Sequence, residues 1–291
     1  MSLAIVYTRA ALGIEAPLIT VEVHLSNGLP GLTMVGLPET TVKEARDRVR
    51  SALINSGYAF PAKKITINLA PADLPKEGGR YDLPIALALL VASEQLNTTR
   101  LNQYEFVGEL ALTGGLRGVP GAIPSAMEAI KAGRRIVVSS DNAAEVGLIG
   151  GSDCLVADHL QEVCAFLAGQ TSLSPPLAEA PARDERYEDL LDVIGQQQGK
   201  RALEIVAAGG HNLLLIGPPG TGKTMLASRL PGLLPPLSNQ EALESAAIQS
   251  LVNLHTAKTR WRQRPFRAPH HSASLAAMVG GGSIPVPGEI S

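Results

Sequence analysis

The sequence predicts an α/β protein of two domains, and three observations carry that expectation. Strand-period and helix-period patterns alternate from Met1 to Gly169, periodicity lapses over residues 170–188, and a glycine-rich loop then stands between an apolar run and a helix-like stretch. With 291 residues, 45% of them hydrophobic, the chain can fill two sizeable cores. The expected division is residues 1–169, a linker at 170–188, and a second domain at 189–291.

Taken in order, Ile19, Val21, Val23 and Leu25 fall on one face of an extended stretch, with Thr20, Glu22 and His24 on the other, as in a half-buried strand. From Val42 the period changes, and Val42, Ala45, Val49, Ala52 and Leu53 form a helical stripe with Thr41 as cap and Gly57 as terminator. Strand character returns at Ile65, Ile67 and Leu69. An apolar helix is expected over about Leu83–Leu96 and a strand over Phe106–Leu112, closed by Gly114-Gly115. A helix at Ser125–Ala132, strands at Arg135–Ser139 and Cys154–Ala157, and a helix at Leu160–Leu167 complete the first domain. The linker, with Ser174-Pro175-Pro176, has little to bury. Beyond it Gln197–Ala208 reads as a helix, and Asn212–Ile216 is a short apolar run.

Composition excludes several classes. Charged residues make up 18% and the formal net charge is -2, so any nucleic-acid surface must be local. The longest apolar run, Leu83–Ala92, is about half of a membrane span, and the first twenty residues lack a leader pattern. A cytoplasmic protein with no membrane partner is expected. Cys154 and Cys164 are the only cysteines, without metal or disulfide spacing, and read as small core residues.

The chemistry is concentrated in Gly217-Pro218-Pro219-Gly220-Thr221-Gly222-Lys223-Thr224. Glycines let the backbone bend so that its N–H groups face phosphate oxygens. Lys223 can reach the outer phosphates, and the Thr224 hydroxyl can coordinate Mg²⁺ at the start of the following helix. The apolar run before the loop and Met225–Leu230 after it supply the strand and helix that such a loop requires. ATP with Mg²⁺ is the expected ligand, with Lys223 and Thr224 as the groups acting on it.

The loop, preceded by Asp192-Val193-Ile194-Gly195-Gln196, resembles AAA+ ATPases, and the resemblance implies that Val193 and Ile194 contact the base. Arg264-Pro265-Phe266-Arg267-Ala268-Pro269-His270-His271-Ser272-Ala273-Ser274, followed by Gly280-Gly281-Gly282, is similar to the magnesium-chelatase-like branch. Met34-Val35-Gly36-Leu37-Pro38 and Asn68-Leu69-Ala70-Pro71-Ala72-Asp73-Leu74-Pro75-Lys76-Glu77-Gly78 resemble the Lon-protease-like domain of the bacterial YifB/ComM family. The resemblance covers essentially the whole chain. It implies an N-terminal α+β domain like the Lon proteolytic domain and ribosomal protein S5 domain 2, then a P-loop α/β domain. It also implies a hexameric motor that drives branch migration of single-stranded or branched DNA in natural transformation or recombination.

Two departures qualify it. Where Lon proteases carry a serine, this chain has Gly79-Arg80-Tyr81-Asp82, and where they carry a lysine it has Gly121-Ala122-Ile123-Pro124, so a protease-inactive binding or assembly module is expected. No apolar strand ending in Asp-Glu precedes Ser291, and Glu289 follows the poor strand Pro285-Val286-Pro287-Gly288. The expectation is therefore an incomplete AAA+ domain that binds nucleotide but hardly turns it over.

Lys258, Arg260, Arg262, Arg264 and Arg267, interleaved with Trp261 and Phe266, could hold single-stranded nucleic acid; alternatively they face nucleotide, a neighbouring subunit or solvent. His270-His271 lacks a third ligand at zinc spacing and reads as structural. Arg46, Arg48 and Arg50 read as a solvated helix face, and Lys63-Lys64 and Arg134-Arg135 as surface charges that a DNA-facing domain would also use. The rival functions are a chelatase-type ATPase that remodels a protein partner without DNA, and an ATP-regulated protease-like adaptor. The Lon-like domain favours the DNA reading, since chelatase motors are expected to begin directly with the ATPase domain.

Overall fold

A computed structural model describes residues 2–36, 42, 44–176, 187–251, 261–281 and 286–290. The alternating residues at 19–25 lie in β2 (Leu18–Ser26), which pairs antiparallel with β1 (Ser2–Arg9) and with β4 (Lys64–Ala70). β3 (Gly31–Val35) adds parallel to β4. On the other side, β5 (Tyr104–Phe106), β8 (Arg135–Ser139) and β9 (Cys154–Ala157) follow β1 in parallel, giving the seven-stranded order β3-β4-β2-β1-β5-β8-β9. The class is mixed α/β, as the alternating periods require.

α1 (Ala45–Asn55) turns Val49, Ala52 and Leu53 inward, and Val42 is buried beside them. Thr41, the expected cap, lies outside the described residues; Gly57, at φ 82°, follows the helix end as expected. α2 (Asp82–Ala92) is apolar on nearly every side because it is enclosed, packing on β1, β2 and α1. It stops short of Leu96, where Glu94 takes a positive φ of 61°.

The expected strand at 106–112 is divided. β5 ends at Phe106, and the chain turns so that Gly108 N–H donates to the Arg80 carbonyl at 3.2 Å and Leu110 N–H to Asp82 Oδ2 at 3.3 Å. β6 (Glu109–Leu110) then pairs antiparallel with β7 (Leu116–Arg117) as a separate hairpin. The buried Asp82 carboxylate draws the backbone out of the sheet. α3 (Ala122–Lys131), the short α4 (Ala143–Val146) and α5 (Leu160–Leu167) cover the β8–β9 side. Cys154 and Cys164 are free and buried, as expected, and burial pushes both thiols up to about 11. Residues expected to begin a linker pack against the sheet: Val156 N–H donates to the Ser174 carbonyl at 3.1 Å, and Leu173 packs against the core.

Three arginines expected at the surface have structural partners. Arg48 Nε meets Asp82 Oδ2 at 2.7 Å, and burial raises the Asp82 carboxyl to about 6 despite that guanidinium. Arg134 Nη1 lies 3.3 Å from Glu105 Oε1, with its guanidinium 4.4 Å from the Tyr7 ring centroid. Arg135 lies 5.9 Å from the Tyr104 ring. A helical or pre-strand position does not reveal an acid brought close by the fold. Glu105 is fully buried and also takes Arg9 Nε at 2.6 Å and Arg9 Nη2 at 2.8 Å.

Beyond the linker the helices are α6 (Gln197–Gly209), α7 (Lys223–Ser228), α8 (Leu230–Leu233), α9 (Asn239–Ser250) and α10 (Leu275–Val279), with a small pairing of β10 (Gly280–Gly281) and β11 (Val286–Pro287). α9 opens with a capping box: Ser238 Oγ accepts from Glu241 N–H and Glu241 Oε2 from Ser238 N–H. Its Ala246 and Ala247 pack against Ile123 of α3, with Trp261 closing the cluster, and Gly121 N–H donates to the Ser250 carbonyl at 2.8 Å. Among the described residues no helix is long and apolar enough to cross a membrane.

Two outcomes follow for stability. Removing Glu105 leaves the buried Arg9 and the half-buried Arg134 without their acid, so Glu105→Ala should lower unfolding free energy by about 3–5 kcal/mol in urea titrations. A loss below about 1 kcal/mol would show that this cluster is dispensable. Glu145 is buried with Oε1 unpartnered, and burial raises its carboxyl to about 8. The stability of the protonated form is complete below the ordinary pKa of 4.5 and is lost as pH rises towards 8. Glu145→Gln should therefore add about 1–3 kcal/mol at pH 8 and little at pH 4.5; an equal change at both pH values would contradict this.

Candidate functional site

The phosphate loop is held from below by apolar side chains. Val193, Leu203 of α6 and Leu226 of α7 are buried together, with Leu190, Leu215, Leu230 and Leu233 packed around them. Gly199 of α6 permits this approach, since a Cβ there would stand 2.8 Å from Leu226 Cδ1. α7 begins directly at Lys223, because Gly222, at φ 82°, reverses the chain just before it. Gly217 and Gly220 also take positive φ, at 157° and 80°.

Lys223 folds back over the loop. Its Nζ donates to the Pro218 carbonyl at 2.7 Å and the Gly217 carbonyl at 2.9 Å, and lies 3.4 Å from Thr221 Oγ1. Thr221 Oγ1 donates to the Pro218 carbonyl at 2.9 Å, and Gln196 Nε2 to the Thr221 carbonyl at 3.2 Å. The expected loop residues Gly217, Pro218, Pro219, Gly220, Thr221, Gly222 and Lys223 thus form one local turn, and Thr224 is exposed at the first turn of α7. These features fit a polyphosphate and its cation. The ammonium lies within the turn, and the hydroxyl is open to solvent. Arg229 and Glu188, which sequence reasoning did not single out, secure the end of α7: Glu188 Oε2 lies 2.9 Å from Arg229 Nη1 and accepts from Ser228 Oγ at 2.7 Å.

Val193 and Ile194 part company. Val193 belongs to the apolar cluster under the loop, whereas Ile194 is 96% exposed. The run expected to be a strand before the loop is not in a sheet among the described residues; Leu214 is 80% and Ile216 85% exposed. A lone strand has no partner for its N–H and C=O groups, and its apolar side chains have nothing to bury against.

In the basic stretch, Lys258 and Arg260 lie outside the described residues. Arg262 Nε donates to the Leu237 carbonyl at 2.9 Å and Arg264 Nε to the Pro235 carbonyl at 2.8 Å. Arg267 Nε is 3.8 Å from Glu289, and Trp261 is in the cluster with Ile123. Arg262, Arg264, Arg267 and Trp261 therefore each have an intramolecular neighbour, whereas Phe266 is exposed. The His270 and His271 rings lie 4.2 Å apart, with His270 Nδ1 2.7 Å from Ser272 Oγ, and no metal-holding group of three occurs among the described residues.

At the position where the resemblance to Lon proteases would place a serine, Gly79, Arg80 and Tyr81 form a buried 3-10 turn beside a cleft of about 370 Å³. Lys76 is fully buried and hydrogen-bonds the Pro71 and Leu74 carbonyls. Ser125, near the start of α3, donates its buried hydroxyl to the Gly121 carbonyl at 2.8 Å. These groups serve the fold.

Two family models match the chain: subunit ChlI of Mg-chelatase over residues 21–142, and magnesium chelatase, subunit ChlI, over residues 189–291. All 291 residues align with YifB of Salmonella typhimurium at 77% identity and with YifB of Escherichia coli at 75%. The chain belongs to the YifB/ComM family. It is also 59% identical, along its whole length, to the competence protein ComM of Haemophilus influenzae. The chain spans 58% of the length of each of these relatives. The first match gives a chelatase-subunit description to the N-terminal part, so that part does not separate the DNA and chelatase readings as the sequence argument held.

The Gly199–Leu226 approach is testable. Gly199→Val should push α7 away, weakening Mg-ATP binding about tenfold, close to 1.4 kcal/mol, with a smaller effect from Gly199→Ala. Identical affinities in titration calorimetry would show that helix spacing does not set the loop.

Proposed function

We propose that the chain is the nucleotide-binding portion of an AAA+ motor of the ComM/YifB type, with a non-proteolytic first domain at 1–169, a linker at 170–188 and an ATPase domain from 189. The observation that carries this is the loop itself, in which positive-φ glycines wrap around the Lys223 ammonium at the start of α7. In this reading ATP is bound by residues 217–224, and Lys223 compensates charge on its outer phosphates. Thr224 holds Mg²⁺, which supplies charge neutralisation at the phosphates. Val193 supports the base pocket from its apolar side, and Ile194 offers the surface on which a base can rest.

The longer protein is proposed to form a ring and to couple ATP turnover to movement along single-stranded or branched DNA. The ComM name of one relative, a competence protein, supports that direction. Both family descriptions support the second reading, a chelatase-type ATPase that remodels a protein partner.

Calorimetry with Mg-ATP should show binding to this chain, and Lys223→Ala should weaken it at least tenfold, the loss expected for a charge-assisted contact of about 1.5–3 kcal/mol. Equal affinity in both proteins would overturn the assignment of the loop. For the longer protein, ATP hydrolysis that rises with single-stranded DNA supports the DNA motor. Hydrolysis indifferent to DNA selects the chelatase-type reading.

A further inference from the structure

The N-terminal part carries a second cleft, of about 200 Å³, between α1 and the starts of β3 and β4. Arg46 and Arg50 reach it from α1, one turn apart on the same face, and Lys63 reaches it from the residue before β4. The lining contains three cations and no carboxylate. All three side chains are exposed, and none forms an ion pair with a described acid, whereas Arg48 between them turns inward to Asp82. Glu44, the acid at the start of this helix, lies 4.0 Å from Arg48; Asp47 is exposed on the helix but does not line the cleft. In a chain of net charge -2, this is a concentrated, uncompensated positive site.

One of the cations is held against an aromatic ring. The Arg50 guanidinium lies 5.5 Å from the centroid of the Phe60 ring, which is itself anchored against the core. A guanidinium supported in this way keeps its charge for a phosphate and offers a plane on which an unpaired base can stack. Gly31 and Pro30 at the rim add backbone without bulk.

We propose that this cleft binds the backbone of a single-stranded nucleic acid, with Arg46 and Lys63 on phosphates and Arg50 stacked beneath a base. The choice of nucleic acid over other polyanions rests on the DNA reading of the proposed function; the site itself rests on the charge and the cleft. A cleft of this size, with one guanidinium against a ring, suits a single flexible strand whose base can stack there. None of its lining residues belongs to the phosphate loop or to residues 261–267 of the basic stretch.

The test is fluorescence anisotropy of a labelled oligothymidylate with the full chain over a sodium chloride series. Removing two phosphate contacts on a single strand should flatten the slope of log K against log salt by about 1.4, so Arg46→Ala/Arg50→Ala/Lys63→Ala should show that change with Mg-ATP binding retained. Phe60→Leu should weaken binding severalfold with the slope intact, separating base stacking from charge. A chain that binds the oligonucleotide with the same slope in the triple variant overturns the cleft and leaves the DNA motor standing. No oligonucleotide binding by the parent chain overturns the cleft, and DNA-stimulated hydrolysis in the longer protein then decides the motor separately. Binding to phosphatidylserine vesicles that the triple variant abolishes, with oligonucleotide binding untouched, overturns the nucleic-acid assignment.

Discussion

The seven-stranded sheet is narrowest between β1 and β5, where a single registered pair, Tyr7 opposite Glu105, joins two halves that otherwise have extensive ladders. The Arg9–Glu105 ion pair crosses that point. Its acid is wholly enclosed, and Arg9 also donates to the Ala16 carbonyl at 3.3 Å and the Glu128 carbonyl at 3.0 Å. One guanidinium therefore fixes the end of a strand, a loop and α3. Buried ion pairs contribute little net stability over an apolar replacement, but separating the partners is costly, so the register between the halves is strongly specified. Arg80 extends the same corner by donating to the Arg9 and Pro120 carbonyls. Everything seated on α3, including α9 and Trp261, takes its position from this corner.

The phosphate-loop region is organised differently. Its order comes from one small apolar cluster, from the Glu188–Arg229 contact and from glycine-directed turns rather than from a hydrogen-bonded sheet among the described residues. The loop shape is local, set by φ angles within a few residues. Leu214 and Ile216 beside it form an exposed apolar face.

Much of this was legible beforehand. The alternation at 19–25 and the apolar run of α2 gave their elements because burial there follows the period of the backbone. The glycine-directed turn at 217–222 and the helix it opens were legible because the glycines are contiguous with the helix start. β1 was not foreseen, since Leu3 and Ile5 on its exposed face are as apolar as Ala4 and Val6 on its buried face, which erases the alternation. α9 has little amphipathic contrast, yet Ser238 and Glu241 form a capping signature that could have announced it. The inward turn of Arg48, and the different fates of Val193 and Ile194, depend on residues distant in sequence or on packing that no local pattern encodes.

Trp261 is the only tryptophan in the chain, and it sits where α9 meets α3. Its indole is a built-in reporter of that seam. A red shift of its emission would register separation of the two parts, while the seven-stranded sheet holds no tryptophan and would melt without a tryptophan signal of its own.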